Sequence, residues 1–272
     1  MTGPLFVKRT GRGPRMVLLH GGVLAGGLCW SRQLPLADRF TLEIVDRAGY
    51  GRSQQVSPGE DLDADAPLVA GLLADGAHLV GHSSGAVAAM LAAALRPRAV
   101  LSLTLCEPPA FQLAPGSAEA QQMARDLEEH LNTTGDDAQW LRGFLAIVGR
   151  TAVIPGHLPP PLAQGVRALR AIRYLPWEGE LPTGPLAVAP FPKLVISGNH
   201  SPAFEAVCDA LAAALHARRA HVTGAGHATP ETSDAFNQTL QAFIRTASIQ
   251  QEDIPSRPHH QTGAAWQACT PR

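Results

Sequence analysis

Lysine is almost missing from this chain. Among 272 residues it stands only at Lys8 and Lys193, and arginine carries nearly all the positive charge. The formal net charge is −1 and neither sign forms a run. Without a basic stripe or tail there is no electrostatic footprint for a nucleic-acid backbone or an anionic membrane surface. Cysteine is scarce too. Cys29, Cys106, Cys208 and Cys269 form no Cys-x-x-Cys pair, and their spacing matches neither a zinc site nor a small disulfide framework. They read as reduced, mostly buried thiols, which favours a cytoplasmic location. The stretch MTGPLFVKRTGRGPR lacks the apolar centre of a signal peptide, and no apolar run reaches bilayer-spanning length. A Gly-x-Gly-x-x-Gly register is absent as well. Neither HGGV (20–23) nor GYGRS (49–53) fits it, which removes a dinucleotide-binding reading.

The chain does have the makings of one large core. Hydrophobic residues make up 45% of it against 17% charged, which separates it from disordered sequences. Short apolar runs alternate with helical stretches: RMVLLHGG (15–22), TLEIVD (41–46), AHLVG (77–81) and AVLSLTLCE (99–107), with helices over 63–76 and 84–95. Continuously apolar strands separated by helices indicate an α/β fold whose parallel sheet is covered on both faces. The alternation stops after residue 107. Residues 111–190 hold helical stretches (117–131, 136–149, 161–173) among many prolines and no convincing strand. It resumes with FPKLVISG (191–198), a helix over 203–216, RRAHVTG (218–224) and a last helix over 234–246. The simplest organisation is a core of 1–110 and 191–248, a helical lid inserted at 111–190, and a polar tail over 249–272 expected to be disordered. His259 and His260 belong to that tail's composition rather than to a metal site.

Within LVGHSSGAVAAML (79–91) two serines stand side by side. Glycines lie two residues before and two after Ser83, at Gly81 and Gly85; the equivalents for Ser84 are His82 and Ala86. A serine on a sharp strand-to-helix turn brings two backbones so close that side chains at those positions would collide. The turn lifts the Ser83 hydroxyl above the sheet edge, aims the N–H of Ser84 at a reacting carbonyl, and offers the helix dipole to developing negative charge. The pattern alone is a weak signal; its position between a strand and a helix is what strengthens it.

A serine hydroxyl needs a base near neutral pH. His227 sits in TGAGHATPE just past the last strand, where glycines let the loop bend inward, whereas His78, His157, His216 and His221 have weaker positions. The base needs a carboxylate to orient its ring. The turn after the preceding strand, SGNHSPAFE, carries asparagine and histidine where an aspartate would be expected. Glu205 and Asp209 follow inside a helix and look like solvated charges. Glu107 is the better candidate, because it ends the strand that follows the Ser83 helix and so shares its sheet edge. A hole for the oxyanion requires a second N–H besides that of Ser84, and HGGV supplies it from Gly22 or, failing that, Val23. His20 reads there as a loop-fixing residue.

Taken together, VLLHGG, DRAGYGRS, GHSSG and GAGH, in that order, resemble the α/β-hydrolase superfamily over residues 5–247. The resemblance implies an eight-stranded, mostly parallel sheet, a lid after the strand ending near Glu107, and a Ser-acid-His triad working without a metal or organic cofactor. Ser83 matches the family nucleophile, His227 its histidine, and Gly22 and Ser84 its oxyanion donors. Two features depart from the pattern. Ala86 replaces a common second glycine, and no aspartate stands at 199–201. Some members take the acid from the earlier strand, the arrangement Glu107 would provide. Serine at 83 argues against haloalkane dehalogenases and epoxide hydrolases, whose nucleophile is aspartate. The expected activity is cleavage of an ester-type bond in a small or medium apolar substrate, with Trp140 and Trp177 either lining a lid pocket or forming lid core. Carbon–carbon, lactone or thioester hydrolysis and cofactor-free perhydrolysis would use the same groups. A slow-turnover ligand receptor and a scaffold are the alternatives from other classes.

Overall fold

The computed structural model describes residues 5–57, 59–150, 152–172 and 174–252, the side chains of 247–252 excepted. Seven strands form one sheet: β1 (Val7–Gly11), β2 (Arg15–Leu19), β3 (Thr41–Val45), β4 (Ala77–His82), β5 (Val100–Cys106), β6 (Lys193–Ser197) and β7 (Arg218–His221). Their spatial order is β1-β3-β2-β4-β5-β6-β7, with β1 antiparallel to β3 and every other pairing parallel. The family resemblance implies eight strands; the described residues hold seven. The sequence reading missed β1, because VKRTG is an edge strand with no fully buried side chain and therefore carries no apolar run.

Both faces of the sheet are packed. Along β2, Val17 and Leu19 join one core while Met16 and Leu18 join the other, the two-residue period of a strand buried on both sides. The larger core takes in α2 (Leu62–Leu72), α3 (Ser84–Leu95) and, in the segment 111–190, α4 (Ala118–Leu131), α5 (Asp137–Ile147), α6 (Pro160–Arg170) and α7 (Thr183–Ala187), together with α8 (Pro202–Leu215). The smaller core lies against α1 (Gly26–Cys29), which carries Cys29 into it, and α9 (Asp234–Glu252), whose Phe236, Leu240 and Phe243 face Trp30 and Leu42. Among the described residues of 111–190 there are helices and no strand. Helix α9 runs to Glu252, four residues into the stretch expected as a tail; 253–272, with His259 and His260, lies outside the described residues. No described helix is long and apolar enough to cross a membrane.

The Ser83 turn follows from the glycines around it. A Cβ on Gly81 would run into the Gly85 carbonyl, and one on Gly85 into the His20 carbonyl at the end of β2. Both obstacles are backbone, so a side chain at either place has nowhere to go. Gly85→Ala is accordingly expected to cost more than about 3 kcal/mol, in the range of severe overpacking. A urea unfolding midpoint within error of the parent would contradict that.

Candidate active site

Strand register brings the candidate residues to one rim. His82 at the end of β4 pairs with Cys106 at the end of β5, so Ser83 and Glu107 are the next residues on adjacent parallel strands. The Ser83 N–H donates to the Cys106 carbonyl at 2.8 Å, and the Glu107 N–H donates to the Ile196 carbonyl at 3.0 Å. Both residues leave the sheet with positive φ: 54° at Ser83, with ψ −130°, and 43° at Glu107. For non-glycine residues these are strained conformations, worth of order 1–3 kcal/mol each, and such strain clusters at functional sites. Both side chains reach the ring of His227 from this rim.

His227 closes the constellation from the loop after β7. The Ser83 hydroxyl lies 3.1 Å from His227 Nε2, and His227 Nδ1 lies 2.7 Å from Glu107 Oε2. Since a carboxylate can only accept, Nδ1 carries the ring proton and Nε2 is left with its lone pair toward the serine. Glu107 is fully buried and takes two further donors, the Gly198 N–H at 2.5 Å on Oε1 and His200 Nε2 at 3.0 Å on Oε2. Burial alone would raise its pKa. The hydrogen bonds from His200, His227 and Gly198 override that and hold the carboxyl at about 2. Glu107 is therefore ionised across the working pH range, so an acid limb of activity cannot arise from it.

The alternative acids are committed elsewhere. Glu205 Oε2 pairs with Arg219 at 2.6 Å and its Oε1 accepts the Asn199 N–H, while Asp209 meets Arg219 at 2.9 Å. Gly22 and Ser84 line the cavity beside Ser83 and His227. Among the described residues no backbone carbonyl takes up the N–H of either. Val23 is buried at φ 73° and does not line that cavity; its carbonyl lies against Gly165 of α6. His20 ties the loop down. Its Nε2 accepts the Arg47 N–H at 2.9 Å, so the proton sits on Nδ1 and is donated to the Gly21 carbonyl at 2.7 Å.

Several neighbours were not singled out in the sequence. His82 donates from Nε2 to the His227 carbonyl at 2.8 Å, fixing the loop from behind. Phe204 stacks on the His227 ring with centroids 4.5 Å apart. His200 occupies the turn where an aspartate was expected and instead donates to Glu107. Below Ser84 lies a buried group of Arg47, Tyr50, Glu60 and Asp65, in which Arg47 meets Glu60 at 2.7 Å and Asp65 at 3.0 Å. His82 lies inside GHSSG, Arg47 and Tyr50 inside DRAGYGRS, and His200 and Phe204 inside SGNHSPAFE, but no motif marked the contacts they make. Glu107, His200 and His227 also offer ligand atoms within 4.8 Å of one another, a spacing a metal ion could use, but hydrogen bonds among the three already occupy those atoms.

A cavity opens over Ser83 and His227. Its walls are mostly apolar side chains from α4, α5 and α6 together with Trp177 and Phe204, and among the described residues Glu60 lines it beside Ser83, Ser84 and His227. Trp140 lies elsewhere, buried against His130 and Phe144.

A family model described as the alpha/beta hydrolase family matches residues 16–239. The chain belongs to that family. This α/β hydrolase is 34% identical over 193 residues to the pimeloyl-[acyl-carrier protein] methyl ester esterase of Methylococcus capsulatus, covering 65% of the chain and 74% of the relative. It is 39% identical over 187 residues to the 2-(acetamidomethylene)succinate hydrolase of Mesorhizobium japonicum, covering 65% of the chain and 60% of the relative. Among solved structures, an alpha/beta hydrolase from Sphaerobacter thermophilus superposes with a TM-score of 0.61 at 24% identity, covering 88% of this chain and 96% of that one. The last likeness shows the fold alone. The chain is an α/β-fold serine hydrolase.

Buried histidines make this hydrolase sensitive to acid. Burial pushes His78 down to about 4, His82 to about 3 and His20 well below its ordinary value. All three are neutral when folded and take up protons on unfolding below their ordinary pKa of 6.5. Their contribution is complete above that pH and is lost as pH falls toward 4, at up to about 1.4 kcal/mol per pH unit for each. Asp65 works the other way. Burial raises it to about 6 despite Arg47, so it protonates in the folded state and offsets about one histidine between pH 6 and 4. Denaturant midpoints should fall between pH 7 and 5, and His78→Leu should flatten that slope by about one proton; a midpoint constant over this range would refute the assignment.

Proposed function

We propose that this serine hydrolase is a carboxylesterase acting through an acyl-enzyme on Ser83. The observation that carries the reading is the Ser83 Oγ–His227 Nε2 separation of 3.1 Å beneath an apolar cavity. The Ser83 hydroxyl adds to the ester carbonyl while its proton passes to His227 Nε2. Glu107 holds the imidazolium in place. The oxyanion is received by the N–H groups of Ser84 and Gly22, with Val23 the second choice to Gly22. Collapse expels the alcohol, which takes the proton from His227. Water then adds to the acyl carbonyl while His227 takes one of its protons, and collapse breaks the bond to Ser83 Oγ, which takes that proton back as the acid leaves.

Helices α4–α7 act in this reading as a lid that supplies the acyl pocket. A lining that is mostly apolar and, among the described residues, holds the Glu60 carboxylate suits a neutral apolar acyl chain, as in a methyl ester, better than a dicarboxylate such as a succinate derivative, because a buried carboxylate beside another is strongly disfavoured. The substrate is thus a small molecule, or an acyl chain presented on a carrier, and not a nucleic acid or a membrane. Free, buried thiols at Cys29, Cys106 and Cys208 suit a cytoplasmic enzyme. A fluorophosphonate probe with mass-spectrometric mapping tests the reading. Labelling at Ser83 together with turnover of p-nitrophenyl esters is the expected result. Tight binding of an ester with negligible turnover and no labelling would replace the enzyme by a receptor.

A further inference from the structure

Apart from Ser83, Ser84 and His227, the described lining of the cavity over Ser83 is apolar with one charged exception. Glu60, 2% exposed, lines it, and its two carboxylate oxygens have different surroundings. Oε2 accepts from Arg47 at 2.7 Å and from the Tyr50 hydroxyl at 2.5 Å. Oε1 is buried and, among the described residues, has no hydrogen-bond partner. A buried acceptor left without a partner costs free energy. The charges around it do not cancel either, since the single Arg47 guanidinium faces two carboxylates, Glu60 and Asp65. The position is close to the chemistry. One guanidinium nitrogen of Arg47 bonds both Glu60 Oε2 and, at 3.2 Å, the hydroxyl of Ser84, the residue following Ser83.

We propose that Glu60 is a specificity-determining residue whose Oε1 accepts a hydrogen bond from a hydroxyl or ammonium group carried by the substrate near its scissile ester. The inference rests on the Ser83 esterase reading and narrows it to esters that combine an apolar chain with one donor. An unpartnered acceptor beside a binding cavity discriminates strongly, because a substrate lacking the donor leaves Oε1 desolvated and unpaired. Arg47 and Tyr50 hold the carboxylate in place, so the acceptor is oriented before substrate arrives.

The experiment uses the full-length enzyme and a set of butyrate and hexanoate methyl esters. Each is compared as the parent, with a hydroxyl or an amino group at successive carbons, and as the O-methyl ether of the hydroxylated member. At the matching carbon, kcat/KM should exceed that of both the parent and the ether by about tenfold or more, as for a hydrogen bond to a charged acceptor. Glu60→Gln keeps an amide oxygen for Arg47 and Tyr50 and sets an NH₂ at the Oε1 position. That exchange of acceptor for donor should abolish or invert the preference. If Ser83 is labelled by the fluorophosphonate and the parent esters are cleaved, but no donor-bearing ester is preferred, the Glu60 subsite is overturned while the esterase reading stands. A preference that survives Glu60→Gln overturns it too. If neither labelling nor cleavage of any ester occurs, the esterase reading itself fails, and the subsite with it.

Discussion

Ser83→Ala is expected to lower kcat for ester hydrolysis by on the order of 10⁶-fold, the scale seen when a serine-protease nucleophile is removed. Little else should change. The Ser83 side chain makes one hydrogen bond in the structure, to His227, and the residue holds a positive φ that alanine tolerates no worse than serine. Circular dichroism and the urea midpoint should therefore match the parent within about 1 kcal/mol, since the one group left without its partner is His227 Nε2, at the wall of the cavity. Background turnover from the oxyanion donors and the pocket would remain. A variant still within tenfold of the parent would show that another group performs the attack.

Glu107→Gln should cost about 10⁴-fold in kcat, by analogy with loss of the orienting acid in a protease triad. The physical cause is in the count of donors. Glu107 receives N–H groups from His227, His200 and Gly198, and all three need an acceptor. A glutamine presents one oxygen and an NH₂, so at least one donor meets another donor. With the NH₂ toward Gly198 the oxygen still accepts from His227, but the negative charge that stabilises the imidazolium is gone; turned the other way, the His227 ring loses the proton position that leaves Nε2 free for Ser83. Glu205→Gln and Asp209→Asn serve as the comparison, since their carboxylates are joined to Arg219 and leave His227 untouched. Both should stay within a fewfold of the parent. Near-normal turnover by Glu107→Gln, with loss in either of the other two, would move the acid.

The site could be read from sequence where chemistry demands a local pattern. Ser83 announces itself because only glycine fits two residues to either side, and those clashes are with backbone. His227 stands in a glycine-rich loop after a strand for the related reason that the loop must bend inward. Glu107 needed one more step, parallel connectivity, and the β4–β5 register sets it beside Ser83. The rest left no local trace. His200 donates to Glu107 from a turn that sequence reasoning treated as the place of a missing acid, and nothing in SGNHSPAFE specifies that direction.

Backbone periodicity and glycine spacing, which are properties of neighbouring residues, by themselves determined the parallel sheet, the interrupted helical segment and the turn that carries Ser83. Strand β1 escaped because an edge strand buries too little to impose a period. Only the tertiary structure decided which carboxylate faces His227, that His82 holds its backbone while Phe204 stacks on its ring, and that Glu60, beside the cavity, keeps an oxygen without a partner among the described residues. Those facts join residues up to 145 positions apart. They depend on desolvation and hydrogen-bond geometry after the chain has packed, and a linear pattern encodes neither.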